Sequence, residues 1–140
     1  MKKQFRSLLA LLLVIVTILA LVACAKVSAE GKWENATYLS DKSFGKGAIT
    51  IALEVKVEEQ SVTFTVHTDK ENLADALLEH GLIEGEMSTY GLYVKKVNGI
   101  TADYDVDSSW WNLQKDGVDT LGASSVTIAD GEHYEFVYQK

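Results

Sequence analysis

From Gly47 to Val57 the apolar residues Ile49, Ile51, Leu53, Val55 and Val57 fall at every second position. That period turns one face of an extended strand toward a core. Glu58-Glu59-Gln60 interrupts it, and Val62, Phe64 and Val66 resume it with Thr63, Thr65 and His67 on the other face. Two such runs joined by about three polar residues predict a β-hairpin. The period then lengthens. Leu73, Ala74, Leu77 and Leu78 make one helical stripe, and Gly81 closes it. Thr68 and Glu71 have capping-box spacing at its start, with Asp69 as the other candidate cap. A linker carrying Glu84 and Glu86 leads to three more strands. Leu92, Val94 and Val97 form the first, ending at Asn98-Gly99. Trp110 to Gln114 form the second, turning at Asp116-Gly117. Tyr134, Phe136 and Tyr138 form the third, after Asp130-Gly131. Hairpin, one helix and three further strands predict an α+β fold with a β-grasp-like mixed sheet and one helix across a face. A ferredoxin-like split would want a second helix.

Upstream the pattern changes kind. Lys2, Lys3 and Arg6 precede an apolar run from Leu8 to Ala23 in which only Thr17 is polar. A basic start before a run of roughly 16 apolar residues reads as a secretory signal, being short for a membrane span of about 20. An uncleaved anchor helix is the alternative. Leu21-Val22-Ala23-Cys24 resembles a bacterial lipobox, and Cys24 is the only cysteine. That resemblance implies diacylglycerol on the Cys24 thiol, cleavage just before it, and an outward-facing protein held at the cell membrane. One acyl chain anchors marginally and two anchor stably. Residues 1–23 are thus expected as signal peptide, 24–46 as a lipidated tether with one short strand near Ala36-Thr37-Tyr38-Leu39, and 47–140 as the domain. Trp33 is expected at the domain's edge.

Charge narrows the partners. The formal balance is −7, from 13 basic and 20 acidic residues. Without Lys2, Lys3 and Arg6, 10 basic residues face 20 acidic ones, about −10. Phosphate neutralisation needs clustered Lys and Arg, so no nucleic-acid partner is expected. A lone cysteine excludes an internal disulfide and a cysteine-based zinc site. His67, His80 and His133 stand in no HxH or HExxH spacing, and Ser124-Ser125 lack a nucleophile-elbow pattern. No enzyme and no required cofactor are expected. Asp103, Asp105 and Asp107 match the first three calcium-loop positions, but Ser108 stands where Gly is needed and Gln114 where Glu is needed. A solvated acidic loop fits better. Trp110 and Trp111 are the sharper feature. Strand neighbours point to opposite faces, so at most one is core. The other covers a sheet edge, or joins Tyr90, Tyr93 or Tyr104 as an aromatic platform for a flat ligand or a partner.

The ordered series Tyr93-Val94-Lys95-Lys96-Val97-Asn98-Gly99-Ile100, Trp110-Trp111-Asn112-Leu113, Asp116-Gly117, Gly122 and Asp130-Gly131-Glu132 resembles the C-terminal β-domain of the transcobalamin and intrinsic-factor proteins. It is especially similar to the transcobalamin-like domain of bacterial surface lipoproteins, within the ligand-binding β-grasp superfamily. The resemblance covers about residues 48–140 and includes the Leu73-Ala74-Asp75-Ala76-Leu77-Leu78 helix. It implies a ligand-facing set of Trp110, Trp111, Asn112, Leu113, Tyr104 and Gly122, with cobalamin or a related corrinoid as ligand and a membrane importer as recipient. Trp111 matches the family's strand tryptophan. The helical domain that completes the carriers' enclosure is absent from this chain. The alternative is a protein–protein or cell-wall adhesion module without a small ligand. Capture implies corrinoid quenching of tryptophan emission that is lost in Trp111→Ala.

Overall fold

The computed structural model describes residues 27–140, so the expected signal peptide and Cys24 lie outside the described residues. The period-two runs form β2 (Ile49–Val57) and β3 (Gln60–Thr68), paired antiparallel from Ile49↔Thr68 to Val57↔Gln60. The loop between them is two residues long, with Glu58 at φ 57°. β2 then pairs parallel with β9 (His133–Gln139), whose other edge takes β7 (Trp110–Lys115) antiparallel. β8 (Val118–Asp119) covers only the end of β7, at Gln114 and Lys115. With β1 (Lys42–Gly45) at the far edge, the main sheet runs β1-β3-β2-β9-β7-β8. Asn98-Gly99 and Asp116-Gly117 both hold positive φ at two successive residues, the hairpin geometry that those dipeptides favour.

One face of this sheet is the core. Leu53, Val55, Phe64, Val66 and Tyr134 are fully buried on it. α1 (Leu73–Leu78) lays Leu73, Ala74, Ala76 and Leu77 into the same cluster. Its cap is neither Thr68 nor Asp69 but Asn72, whose side chain accepts from Asp75 N–H. Thr68 instead turns the chain by accepting from Lys70 N–H, and Asp69 accepts from Ala48 N–H. The helix ends as expected at Gly81, with φ +65° and the bonds Gly81 N–H to Leu78 and Leu82 N–H to Leu77 of a Schellman motif.

Two expectations need correction. The acidic linker is a strand: β4 (Ile83–Ser88) pairs with β5 (Gly91–Val97), which pairs with β6 (Ile100–Thr101) in a second, three-stranded sheet. Only Ile83 of β4 is buried, so period two is invisible. The strand is held as a charged edge, with Glu84 opposite Lys96 (3.4 Å) and Glu86 near Lys95 (3.3 Å). The mixed α+β class stands, with more strands than the periodicity shows.

The second correction concerns the tether. Its described part, residues 27–46, folds onto the body. Gly31–Asn35 forms a 3-10 helix that buries Trp33, whose Nε1–H donates to Val57 O (3.3 Å). Ala36 to Leu39 is not a strand. β1 (Lys42–Gly45) is, and it runs parallel to β3. Phe44 meets Tyr38 and Phe64 edge to face at 5.3 and 5.6 Å. Buried Asn98 clamps the segment through two 2.9 Å bonds with the Tyr38 backbone. The segment is short on apolar residues, so no periodic signal marks it.

On the sheet's other face, Glu135 is buried between Lys56 (2.7 Å) and the Gly117 N–H (2.9 Å). The Lys56 hydrogen bond holds the Glu135 carboxyl below its ordinary 4.5, against the opposing effect of burial. A depressed carboxyl stabilises the fold fully above its unfolded value, and that contribution is lost as pH falls through the folded value. Glu135→Gln is therefore expected to cost about 1–3 kcal/mol at pH 7. The difference from wild type should shrink as urea titrations move from pH 7 toward pH 3.

Candidate functional site

The N-terminal half of β7 is an uncovered edge, because β8 reaches only Gln114 and Lys115. Facing it across the gap between sheets lies β5. Lys95 is an extra residue there, since Glu84↔Lys96 is followed by Gly85↔Val94. Such a bulge bends and twists its strand, here beside the edge of β7. A cleft of ≈ 210 Å³ opens between the two strands. Leu92, Tyr93 and Val94 form one wall, and Trp110 to Leu113 form the other. Thr120 to Ala123 close one end. Ser124 props that end, its Oγ accepting from Leu92 N–H (3.0 Å). A Cβ on Gly91 would stand 2.2 Å from the same oxygen, so this close approach needs glycine.

The two tryptophans have separate roles. Trp111 is 7% exposed, and its Nε1–H donates to Ile100 O (3.1 Å). Its ring meets Tyr138 and Phe136 edge to face at 5.5 and 6.4 Å. Trp110 is 40% exposed and stands 6.3 Å from the ring of Tyr104. Trp111 is thus a structural wall, and Trp110 is the available surface. The loss of quenching expected in Trp111→Ala does not by itself report ligand contact, because that variant also removes core.

Five of the six residues implied by resemblance line this cleft: Trp110, Trp111, Asn112, Leu113 and Gly122. Leu113 is a buried floor residue. Asn112 is already engaged, its amide donating to Asp119 (2.9 Å) alongside Gln114 (3.0 Å). Those two bonds, Asn112's the larger, hold the Asp119 carboxyl below its ordinary value. Tyr104 lies beside the cleft instead. It opens the short helix α2 (Tyr104–Asp107), for which Asp103 is the N-cap, accepting from Asp105 N–H (3.1 Å). Tyr104, Tyr93, Asp105 and Trp110 border a second, shallower recess of ≈ 520 Å³. The β5 wall was absent from the implied set. Its signal, Leu92 and Val94 on alternate positions, reads only as a strand until the fold places it against β7.

Among the described residues, no three His, Cys, Asp or Glu side chains are grouped to hold a metal ion, and no helix is long and apolar enough to cross a membrane.

No family model matches this chain, and no curated protein does. Solved structures do. A candidate metal-binding protein from Ruminococcus gnavus is similar with a TM-score of 0.63 and 28% identity, covering 66% of this chain and 98% of its own. Haptocorrin in complex with Cbi is similar with a TM-score of 0.51 and 24% identity, covering 69% of this chain. This chain spans 26% of haptocorrin, and at that identity the likeness is one of fold.

Proposed function

We propose that this chain is a lipid-anchored binding protein on the extracellular face of the cell membrane, tethered through Cys24, whose transcobalamin-like β-grasp domain captures a corrinoid for transfer to a membrane importer. The observation that carries the reading is the cleft between β5 and the uncovered edge of β7, with Trp110 exposed at its mouth. The fold shared with haptocorrin, solved with Cbi, supports it. The chemistry is non-covalent capture and needs no cofactor. Pockets that enclose a small ligand run to about 300–1,000 Å³. A cleft of ≈ 210 Å³ therefore accepts one edge of a corrin and leaves the rest exposed. Affinity should be modest, on the order of micromolar.

Titration of the lipid-free chain with cobinamide and cobalamin is expected to quench tryptophan emission saturably. Trp110→Ala should abolish the quench without lowering the melting temperature by more than about 8 °C, leaving the chain folded. Unchanged emission and melting temperature at high micromolar corrinoid would remove the reading.

Adhesion to a surface protein or to cell wall is the second reading. It is favoured by the β4–β5 hairpin tip, where Met87 and Tyr90 are 77% and 93% exposed. Capture of a surface partner, lost in Tyr90→Ser and insensitive to corrinoid, would support it.

A further inference from the structure

The recess beside the corrinoid cleft has a chemistry of its own. Three aromatic side chains, Tyr93, Tyr104 and Trp110, border it together with one carboxylate, Asp105. The rings come from different elements: Tyr93 from β5, Tyr104 from α2, Trp110 from β7. The Tyr104 and Trp110 rings pack edge to face, their planes at 62°. All three are exposed, Tyr104 the most at 59%. Asp105 is exposed and has no ion-pair partner among the described residues, whereas Asp103 pairs with Lys95 (3.8 Å) and Asp107 with Lys140 (3.9 Å). Lys95 already lies 5.8 Å from the Tyr93 centroid, so this ring accommodates a cation. That ammonium is offset by Glu86 (3.3 Å) and Asp103.

We propose that Tyr93, Tyr104, Trp110 and Asp105 form an aromatic cage for an organic cation, specifically a quaternary ammonium head group. Aromatic faces carry a negative quadrupole, and several arranged about one point attract a cation that has little hydration to lose. A primary ammonium would have to surrender three donors to water, and the recess offers Asp105 as its charged acceptor. A quaternary ammonium has no donors to satisfy. Its methyl groups meet the rings while Asp105 supplies the opposite charge. The surroundings, Asp103, Asp105, Asp107 and Glu86 against Lys95, Lys140 and Lys32, keep an acidic excess that complements a cation and disfavours an anion. An opening of ≈ 520 Å³ admits the head group with the substituent that carries it.

The cage shares Trp110 and Tyr93 with the corrinoid cleft but does not depend on corrinoid binding. Tyr104 and Asp105 belong to the cage alone. The test is calorimetric titration with choline and with tetramethylammonium at constant ionic strength, beside the neutral choline isostere 3,3-dimethylbutan-1-ol. Saturable binding at low millimolar is expected for both cations, with the neutral isostere about tenfold weaker. Tyr104→Leu and Asp105→Asn should each weaken choline about fivefold, with the melting temperature unchanged in the exposed Asp105→Asn and lowered by no more than about 8 °C in Tyr104→Leu, which loses its ring contact with Trp110. Equal binding of the isostere, or choline binding untouched by both substitutions, would overturn the cage. So would the absence of saturable binding. Choline binding without corrinoid binding keeps the cage and removes the corrinoid reading. Corrinoid binding without choline binding does the reverse.

Discussion

Trp33→Ala is expected to lower the unfolding free energy by about 3–5 kcal/mol, the range for deleting a large aromatic from a core. Trp33 is 2% exposed and sits in the same apolar cluster as Val57 and Val97. Its indole N–H also satisfies the Val57 carbonyl at the end of β2. Truncation leaves both a cavity and an unpaired carbonyl, and the two costs act in the same direction. Urea unfolding followed by far-ultraviolet circular dichroism measures the change independently of indole emission. A residue in a solvated tether would shift stability by no more than about 0.5 kcal/mol. The two expectations are separated several-fold, so one pair of curves decides whether residues 27–46 belong to the domain.

That segment shows where sequence reading loses its grip. Period two identified β2 and β3 because both strands bury one complete face, with Ile51, Leu53, Val55 and Val57 opposite Val66, Phe64, Val62 and Gln60. The runs of β5, β7 and β9 are marked by short apolar or aromatic stretches beside Asn-Gly and Asp-Gly turns, although β5 buries only Val94 and Val97. Period two could not identify β1, which turns one apolar residue, Phe44, toward the core across four positions. Nor could it identify β4, whose charged residues face water and pair across the strand. Both are edge strands, and a sheet edge keeps its hydrogen bonds without needing an apolar face. The helix cap was lost differently. Thr68, Asp69 and Asn72 are all good caps, and tertiary contacts drew Thr68 into a local turn and Asp69 to Ala48.

The candidate site was legible in its residues and not in its shape. Trp110 to Leu113 and Gly122 could be named from an ordered resemblance, and they do line one cleft. The opposite wall comes from β5, separated in sequence from β7 by β6 and α2. It carries a bulge at Lys95, a backbone feature without a residue signature here. The assignment of the tryptophan pair was open to periodicity but was not drawn from it. Trp111 shares a strand face with Leu113, and Trp110 shares the other with Asn112 and Gln114; the pairing of Trp111 with Tyr138 and of Leu113 with Phe136 puts the first face in the core.

Exchanging roles within that pair gives the second large effect. Trp111→Ala is expected to cost about 3–5 kcal/mol, because it removes edge-to-face packing on Phe136 and Tyr138 and leaves the Ile100 carbonyl without its indole donor. Trp110→Ala removes a 40% exposed side chain whose aromatic contact is the ring of Tyr104. Its cost should be about 0.5–1.5 kcal/mol. Ligand titrations reverse the order of diagnostic value. Trp110→Ala should lose corrinoid quenching while still folded, whereas Trp111→Ala loses it along with the wall of the cleft. Trp111→Phe separates these effects: it keeps an aromatic ring against Tyr138 and deletes the bond to Ile100, at about 1 kcal/mol for the hydrogen bond plus the smaller ring's packing loss. That variant should fold and retain corrinoid quenching through Trp110. If Trp111→Phe abolishes binding while its urea midpoint stays near wild type, the indole of Trp111 touches ligand and the division of labour assigned to the pair is wrong.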